Sequence, residues 1–261
     1  MSTTLIFTDL DGTLLDHDDY SFDAAAEALA EIRRRAYPLI LASSKTRSEM
    51  LHWQERLDLS DPFICENGAA ICEAGIETES LAHHREEVLA ALEQLREERG
   101  YRYTGFNDCS IAEIVEMTGL SEEDATFAAD REYSEPLLWQ DSDAHLGEFR
   151  LALAEHSLQA LQGGRFITVS GCCDKAVAMQ HLLQRYEAPV RVQTVALGDS
   201  PNDESMLANA DIAVIINSAH AHDMHPTGPE RIIRTSETGP RGWQEAMDTL
   251  LATPHIFPAE D

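Results

Sequence analysis

A chain of 261 residues with 43% hydrophobic content carries enough apolar material for one large domain, or for a core with an inserted subdomain. Its formal net charge of −28 disfavours nucleic acid and anionic membrane surfaces as partners. No apolar run approaches the roughly 18 residues that span a bilayer, and the opening "MSTTLIFTDLDG" has neither a basic leader nor a small-residue cleavage site, so a soluble cytoplasmic protein is expected.

In chain order, "TLIFT" (Thr4–Thr8) reads as a buried strand that runs into an acidic, glycine-containing loop. Ser21 caps a helix expected to reach about Ala36, with Ala25, Leu29, Ile32 and Ala36 on one face. "YPLILAS" is a second buried strand, "RSEMLHWQERL" a helix, and "FICENGAAI" a strand entering a tight turn at Asn67-Gly68. Strand and helix alternating in this way imply right-handed crossovers and a parallel sheet. The pattern then changes. Arg85–Arg99 reads as a helix ended by Gly100, "YRYTGF" as a strand, Ser121 and Asp124 as the start of a helix to about Arg131, and "PLLWQ" as a strand. "LQALQGGRFITVSG" reads as a hairpin across Gly163-Gly164. The doubly wound pattern resumes with the helix "AVAMQHLLQRY", the strand "VQTVALGDS", the short helix "DESMLANA", the strand "DIAVIIN" and the helix "GWQEAMDTLL". The expected fold is therefore α/β, a doubly wound parallel-sheet (Rossmann-like) core with an inserted α+β cap. The expected boundaries are 1–82 for the first part of the core, 83–170 for the cap and 171–261 for the second part of the core.

Two residue types are unevenly used. The five cysteines include no CxxC pair, which fits free thiols in a reducing compartment. The only lysines are Lys45 and Lys175; every other basic residue except histidine is arginine. A compact ammonium and a planar guanidinium are not interchangeable at a tight anion site, so the positions of these two lysines carry information.

Two strands end in aspartates, "FTDLDGT" with Asp9 and Asp11 and "ALGDSPND" with Asp199 and Asp203. Ligand sites of parallel sheets lie outside the carboxyl ends of the strands, where these acids can meet. Two like charges about 4 Å apart repel by roughly 4 kcal/mol at an effective dielectric near 20. A hard divalent cation removes that cost, and carboxylate oxygens suit Mg2+. "ASSKT" follows a strand, so the Ser43 hydroxyl and neighbouring N–H groups can face an anion. Lys45 and Lys175 both fall where a phosphate-binding strand end calls for positive charge.

The order "DLDGT", "LASSK", "DK", "GDSPND" resembles the four motifs of the haloacid dehalogenase superfamily, in the form with a class-two subtype-B cap between the second and third motifs. "IFTDLDGTLLD", "SSKT", "ENGA", "GFND", "REYSEP", "GGRF" and "GPRGW" are similar to the mannosyl-3-phosphoglycerate phosphatase family, and the likeness covers most of the chain. One departure follows Lys175, where this chain has "DKA" and the family usually has "DKG"; alanine is a good helix former, so little effect is expected.

The resemblance implies a Mg2+-dependent phosphatase acting on a small phosphorylated glycosylglycerate, whose product, mannosylglycerate, is a compatible solute. Asp9 is then the nucleophile and Asp11 the general acid and base. Asp9, the Asp11 backbone carbonyl and Asp199 hold the metal, with Asp203 ordering the metal or the lysine. Ser43, Ser44, Lys175 and Asn202 serve the phosphate. Substrate choice falls to the cap: a glycerate carboxylate needs a cation and a sugar needs polar groups, for which Arg131, Glu132, Ser134 and Arg165 are candidates. Arg131 reads equally well as a residue that ends a helix through its dipole.

A glucosyl-3-phosphoglycerate or other sugar-phosphate phosphatase, a phosphomannomutase-like phosphotransferase and a silent binding protein are the alternatives. "HAHDMH" (His220, His222, His225) has metal-ligand spacing but is expected to follow a strand far from the motif loops. Trp53, Trp139, Trp243 and the stripe Leu89, Leu92, Leu95 read as packing. Cys172 and Cys173 read as small residues in the return hinge beside Lys175.

Overall fold

The computed structural model describes residues 3–163, 165–186, 192–254 and 256–257. In chain order it contains β1 (Thr3–Thr8), α1 (Ala26–Arg34), β2 (Leu39–Leu41), α2 (Arg47–Leu57), β3 (Phe63–Cys65), β4 (Ala70–Cys72) and β5 (Glu79–Ser80). The middle of the chain forms α3 (Arg85–Arg99), β6 (Tyr103–Gly105), α4 (Ile111–Thr118), α5 (Glu122–Ala129), β7 (Ser134–Trp139), α6 (Asp143–Glu155), β8 (Leu158–Gln162) and β9 (Ile167–Gly171). The last part forms α7 (Lys175–Leu183), β10 (Val192–Gly198), α8 (Glu204–Ala208), β11 (Ile212–Asn217), β12 (Arg231–Thr238) and α9 (Gly239–Leu251).

Five strands make a wholly parallel sheet in the order β12-β11-β10-β1-β2. Leu5, Ile6 and Phe7 are each 0% exposed, which explains why β1 is a continuous apolar run and not an alternating one. Ile6 faces the layer of α1, α2 and α9, while Leu5 and Phe7 face α7 and α8. This is the doubly wound α/β arrangement the alternating pattern predicts. From β1 the chain moves to β2 on one side and later returns to β10 on the other, so the winding reverses between β1 and β10. A crevice opens at such a switch point. The register Thr8↔Leu197 places the acids that follow both strands at the mouth of that crevice.

The cap is a four-stranded antiparallel sheet, β6-β7-β9-β8. Val88, Leu92 and Leu95 of α3 and Phe149 and Leu153 of α6 pack against Tyr103, Leu137, Leu158 and Val169 of the sheet. The short α4 and α5 form a smaller cluster with Phe106, Ile114, Ala125 and Ala128. The three tryptophans pack as expected: Trp53 and Trp243 are buried in the core, and the Trp139 ring lies 5.1 Å from Phe149. Among the described residues no helix is long and apolar enough to cross a membrane.

Several local expectations are corrected. The Ser21 hydroxyl accepts from Asp23 N and opens a 3-10 turn, and α1 ends before Ala36, whose φ of 53° is left-handed. "FICENGAAI" makes one parallel bridge to the core, Ala42↔Ile64, and then folds back as the antiparallel hairpin β3–β4. The predicted β8–β9 hairpin is present, with Gly163 N donating to Phe166 O at 2.9 Å; Gly164 lies outside the described residues. Helices α4 and α6 and strands β5 and β12 are present in addition to the expected elements.

Candidate active site

The site is built where β1 and β10 end. Asp9 N donates to Leu197 O at 3.0 Å, so the first acid leaves the sheet beside the neighbouring strand. Gly12 has φ 77°, and a Cβ there would lie 2.8 Å from Asp199 Oδ2, so the turn after Asp11 needs glycine to pass this close. Thr13 Oγ1 donates to Asp199 Oδ1 at 3.0 Å. Asp203 accepts the N–H groups of Asp199 and Ser200 on one oxygen, each at 3.1 Å, and the Lys175 ammonium on the other at 2.6 Å.

Lys175 is the first residue of α7, whose N-cap, Asp174, accepts Val177 N at 2.9 Å. Its side chain is fully buried, with Nζ 2.6 Å from both Asp9 Oδ1 and Asp203 Oδ1. Burial pushes this lysine down, but Asp203 and Asp9 outweigh burial and hold it above its usual range, so it stays charged. Burial pushes Asp9 well up; Lys175 opposes this, while Asp203, Asp199 and Asp11 add to it. Asp199 is raised to about 6, first by burial and then by Asp203. The Asp9 and Asp199 shifts share two causes: burial first, and then the repulsion of neighbouring carboxylates that Lys175 only partly offsets.

That excess bears on a metal. Ligand oxygens of Asp9, Asp199 and Asp203 all lie within 4.8 Å of one another, and among the described residues this is the group of metal-ligating types that converges. The donors are all hard oxygens, and the charge is negative and buried, which fits a small hard dication. The Asp11 carboxylate is not part of the group. Its Oδ2 pairs with Lys45 Nζ at 3.0 Å, and its Oδ1 is buried with no hydrogen-bond partner. Lys45 therefore serves the acid Asp11 and, at 3.6 Å, Glu49, and not a free anion position as its place in the sequence suggests. Burial pushes Lys45 down, but Asp11 and Glu49 together hold it above its usual range.

Ser43 and Asn202, two of the residues expected to serve a phosphate, meet at one short loop, Glu66–Gly68, which the sequence shows only as a turn. Ser43 is buried, its hydroxyl accepts from Lys45 N at 3.3 Å, and its carbonyl accepts from Asn67 N at 2.9 Å. Asn202 Nδ2 donates to Asn67 Oδ1 at 3.1 Å. Gly68 has φ 95°, and a Cβ on it would lie 2.0 Å from the Asp174 carbonyl oxygen, next to Lys175. Gly68→Ala is accordingly expected to lower unfolding free energy by about 3 kcal/mol through overpacking and backbone strain. Turnover should fall as α7 and Lys175 are displaced, and chemical denaturation with parallel activity measurements checks both effects.

The cap candidates separate. Arg131 and Glu132 line a cavity of about 440 Å3 together with His84, Arg85, Leu89 and Asn107. Arg131 does end α5 as its helix-terminal reading has it, with Nε donating to the Ala128 carbonyl, while Nη1 reaches Ser134 Oγ at 2.9 Å and the Ser44 carbonyl at 3.5 Å. Ser134 does not line the cavity, because it is 1% exposed and its hydroxyl donates to Glu66 Oε2. Arg165 does not line it either; its guanidinium is exposed and donates to the Met117 carbonyl in the last turn of α4. Arg85, Asn107 and His84 escaped the sequence reading, although Asn107 stood in the quoted "GFND".

The histidine loop lies nearer than expected, since Ser218, just after β11, donates to the Asp199 carbonyl at 2.6 Å. His220, His222 and His225 are nevertheless exposed and do not converge as ligands. Cys172 is exposed, burial, as the first cause, pushes the Cys173 thiol up to about 12, and among the described residues neither cysteine belongs to a converging group of metal-ligating side chains.

The fold and the site together define an α/β protein that gathers carboxylates at a sheet switch point. Residues 6–222 match the haloacid dehalogenase-like hydrolase family, and the chain belongs to that family. Solved structures share the fold over nearly the whole chain. A protein from Streptococcus mutans is 19% identical, with a TM-score of 0.68, covering 96% of this chain and 100% of its own. A phosphatase of the haloalkanoate dehalogenase superfamily from Bacteroides thetaiotaomicron is 18% identical, with a TM-score of 0.70 and 95% of each chain covered. A subclass IIB sugar phosphatase of the same superfamily is 18% identical, with a TM-score of 0.66, covering 95% of this chain and 98% of its own.

Proposed function

We propose that the protein is a Mg2+-dependent phosphomonoester hydrolase that converts mannosyl-3-phosphoglycerate to mannosylglycerate and phosphate. The observation that carries this reading is the buried Asp9–Lys175–Asp203 array with Asp199 beside it. Membership of the hydrolase family and the structural likeness to a sugar phosphatase support it.

Lys175 occupies Asp9 Oδ1, so Oδ2 is the oxygen left to attack phosphorus in line. The new bond is Asp9 O–P; the bond that breaks joins phosphorus to the glycerate oxygen, which takes a proton from Asp11. Asp11 then removes a proton from water, which attacks phosphorus, breaks the Asp9 O–P bond and releases phosphate. Uncatalysed hydrolysis of phosphate monoesters is among the slowest of biological reactions, so protonation of the departing alkoxide matters. Lys45 orients Asp11, and Ser43, Ser44, Lys175 and Asn202 surround the phosphoryl oxygens. Asp9, Asp199, Asp203 and the Asp11 carbonyl would hold Mg2+, which supplies positive charge against the carboxylates and the phosphoryl oxygens. A cavity of about 440 Å3 is of ligand size. In it, Arg131 faces the glycerate carboxylate, and Asn107, Glu132 and His84 face sugar hydroxyls.

The test is phosphate release from a panel of phosphorylated glycosylglycerates and hexose phosphates in the presence of Mg2+. Mannosyl-3-phosphoglycerate is expected to exceed hexose 6-phosphates in kcat/KM by about 100-fold, the discrimination a few polar cap contacts provide. Interconversion of hexose 1- and 6-phosphates with no phosphate released would make the protein a mutase.

A further inference from the structure

The chemistry described above leaves two buried carboxylates unused, Glu135, which Arg85 and Asn107 N hold within the cap, and Glu66. Glu66 follows β3 and is 1% exposed. Both it and Asn67 hold left-handed backbone angles, φ 45° and 59°, which persist in non-glycine residues only where the surroundings over-determine them. The Glu66 side chain leaves the core and is met by consecutive residues of the cap. It accepts Glu132 N at 2.9 Å, Tyr133 N at 3.2 Å and the Ser134 hydroxyl, and Arg131 Nη1 stands 4.0 Å away. Its backbone serves the other side of the interface: Glu66 N donates to the Lys45 carbonyl and Asn67 N to the Ser43 carbonyl, each at 2.9 Å.

We propose that Glu66 is a positioning residue for the reaction: it docks the cap segment 131–134 onto the core so that Arg131 stands over the loop of Ser43 and Ser44, the phosphate loop of the proposed reaction. The inference rests on the phosphatase reading. The carboxylate is buried away from water, so its donors must come from the protein, and the three hydrogen bonds it accepts all come from the cap. Its cost is met only while the cap is docked. Docking also fixes Arg131, whose Nη1 then reaches both Ser134 and the Ser44 carbonyl. The same three-residue loop aligns Asn67 with Asn202 and presses Gly68 against the start of α7, so one element registers the cap, the phosphate loop and the Lys175 helix together. Glu66 itself touches no reacting atom. Its effect on substrate passes through Arg131.

Glu66→Gln keeps the shape but turns an amide NH2 toward donors. Exchange of the Glu132 and Tyr133 backbone amides, followed by NMR, is expected to accelerate at least about tenfold as docking loosens. KM for mannosyl-3-phosphoglycerate is expected to rise about tenfold or more, while kcat/KM for p-nitrophenyl phosphate, which needs no cap contact, stays within about threefold. Glu66→Asp keeps the charge and suits a left-handed backbone, so it should recover part of both losses; it also decides the matter if Glu66→Gln does not fold. Equal losses on the two substrates would reduce Glu66 to a structural residue and overturn the proposal, as would amides that remain as protected as in the wild type. If wild-type protein releases no phosphate from the phosphoglycerate ester, the substrate reading fails and amide exchange alone decides whether Glu66 docks the cap.

Discussion

Asp9→Asn is expected to abolish turnover, by at least about 10^4-fold, while leaving the protein as stable as the wild type or more so. The loss follows from the covalent route, because an amide oxygen is a poor nucleophile and no neighbouring carboxylate stands in line in its place. The stability expectation follows from the electrostatics. Burial and three nearby carboxylates raise Asp9, with only Lys175 opposing them, so its ionised form is held at a cost. Asparagine removes that charge and retains an oxygen toward the Lys175 ammonium, which keeps Asp203 as its charged partner at 2.6 Å. Phosphate release, thermal melts and mass spectrometry of acid-quenched enzyme measure the three consequences. Wild-type protein is expected to show a phosphorylated peptide containing Asp9, and the variant none. Activity retained in a folded Asp9→Asn protein would refute the aspartyl-phosphate route.

Much of this site was legible because its signals are local. A short apolar run followed by "DLDGT", and another followed by "GDSPND", identify strand ends, and parallel winding brings strand ends to one edge. The partners of long-range side chains were not legible. Lys45 stands at a strand end like a phosphate ligand, yet it turns to Asp11, and only the packed structure makes that choice. Ser134 and Arg165 are polar residues in cap motifs, but one is buried against Glu66 and the other is drawn to a helix-end carbonyl. "ENGA" announced a turn through Asn-Gly; that Glu66 reaches across 66 residues to catch the cap has no local signature. The missed elements differ in kind. Helix α6 had readable signals, a Ser142 cap and Phe149, Ala152 and Leu153 on one face. Strand β12 did not: it lies at the sheet edge, most of its residues are exposed, and charged and polar residues interrupt its apolar pattern.

Lys175→Met tests the site from the opposite direction. Methionine fills a similar volume on an unbranched stem but withdraws the ammonium from between two carboxylates, each 2.6 Å away. Breaking a buried ion pair by removing one partner costs about 3–5 kcal/mol, because the remaining charges stay buried without compensation. For a chain of this size that is a fall in Tm of about 10 °C. Catalysis should be lost as well, since nothing then holds Asp9 Oδ1 or counters the phosphoryl charge. Three controls separate electrostatics from packing. First, adding Asp203→Asn to Lys175→Met should restore about half of the lost stability, because it removes a charge left unpaired by the first change. Second, the destabilisation should be smaller at pH 5 than at pH 8. Asp9 is already raised in the folded protein and rises further without the lysine. A carboxylate with a raised folded pKa contributes stability that is fully present below its unfolded value and is lost as pH rises through the folded one. Asp199, at about 6 against an ordinary 3.8, places its own window between those two values and adds in the same direction. Third, Mg2+ should raise Tm more in Lys175→Met than in the wild type, because a dication binding the folded state meets a more negative site and stabilises it by mass action. Equal destabilisation at both pH values, with no rescue by Asp203→Asn, would assign the loss to packing around the lysine stem instead of to the charge it carries.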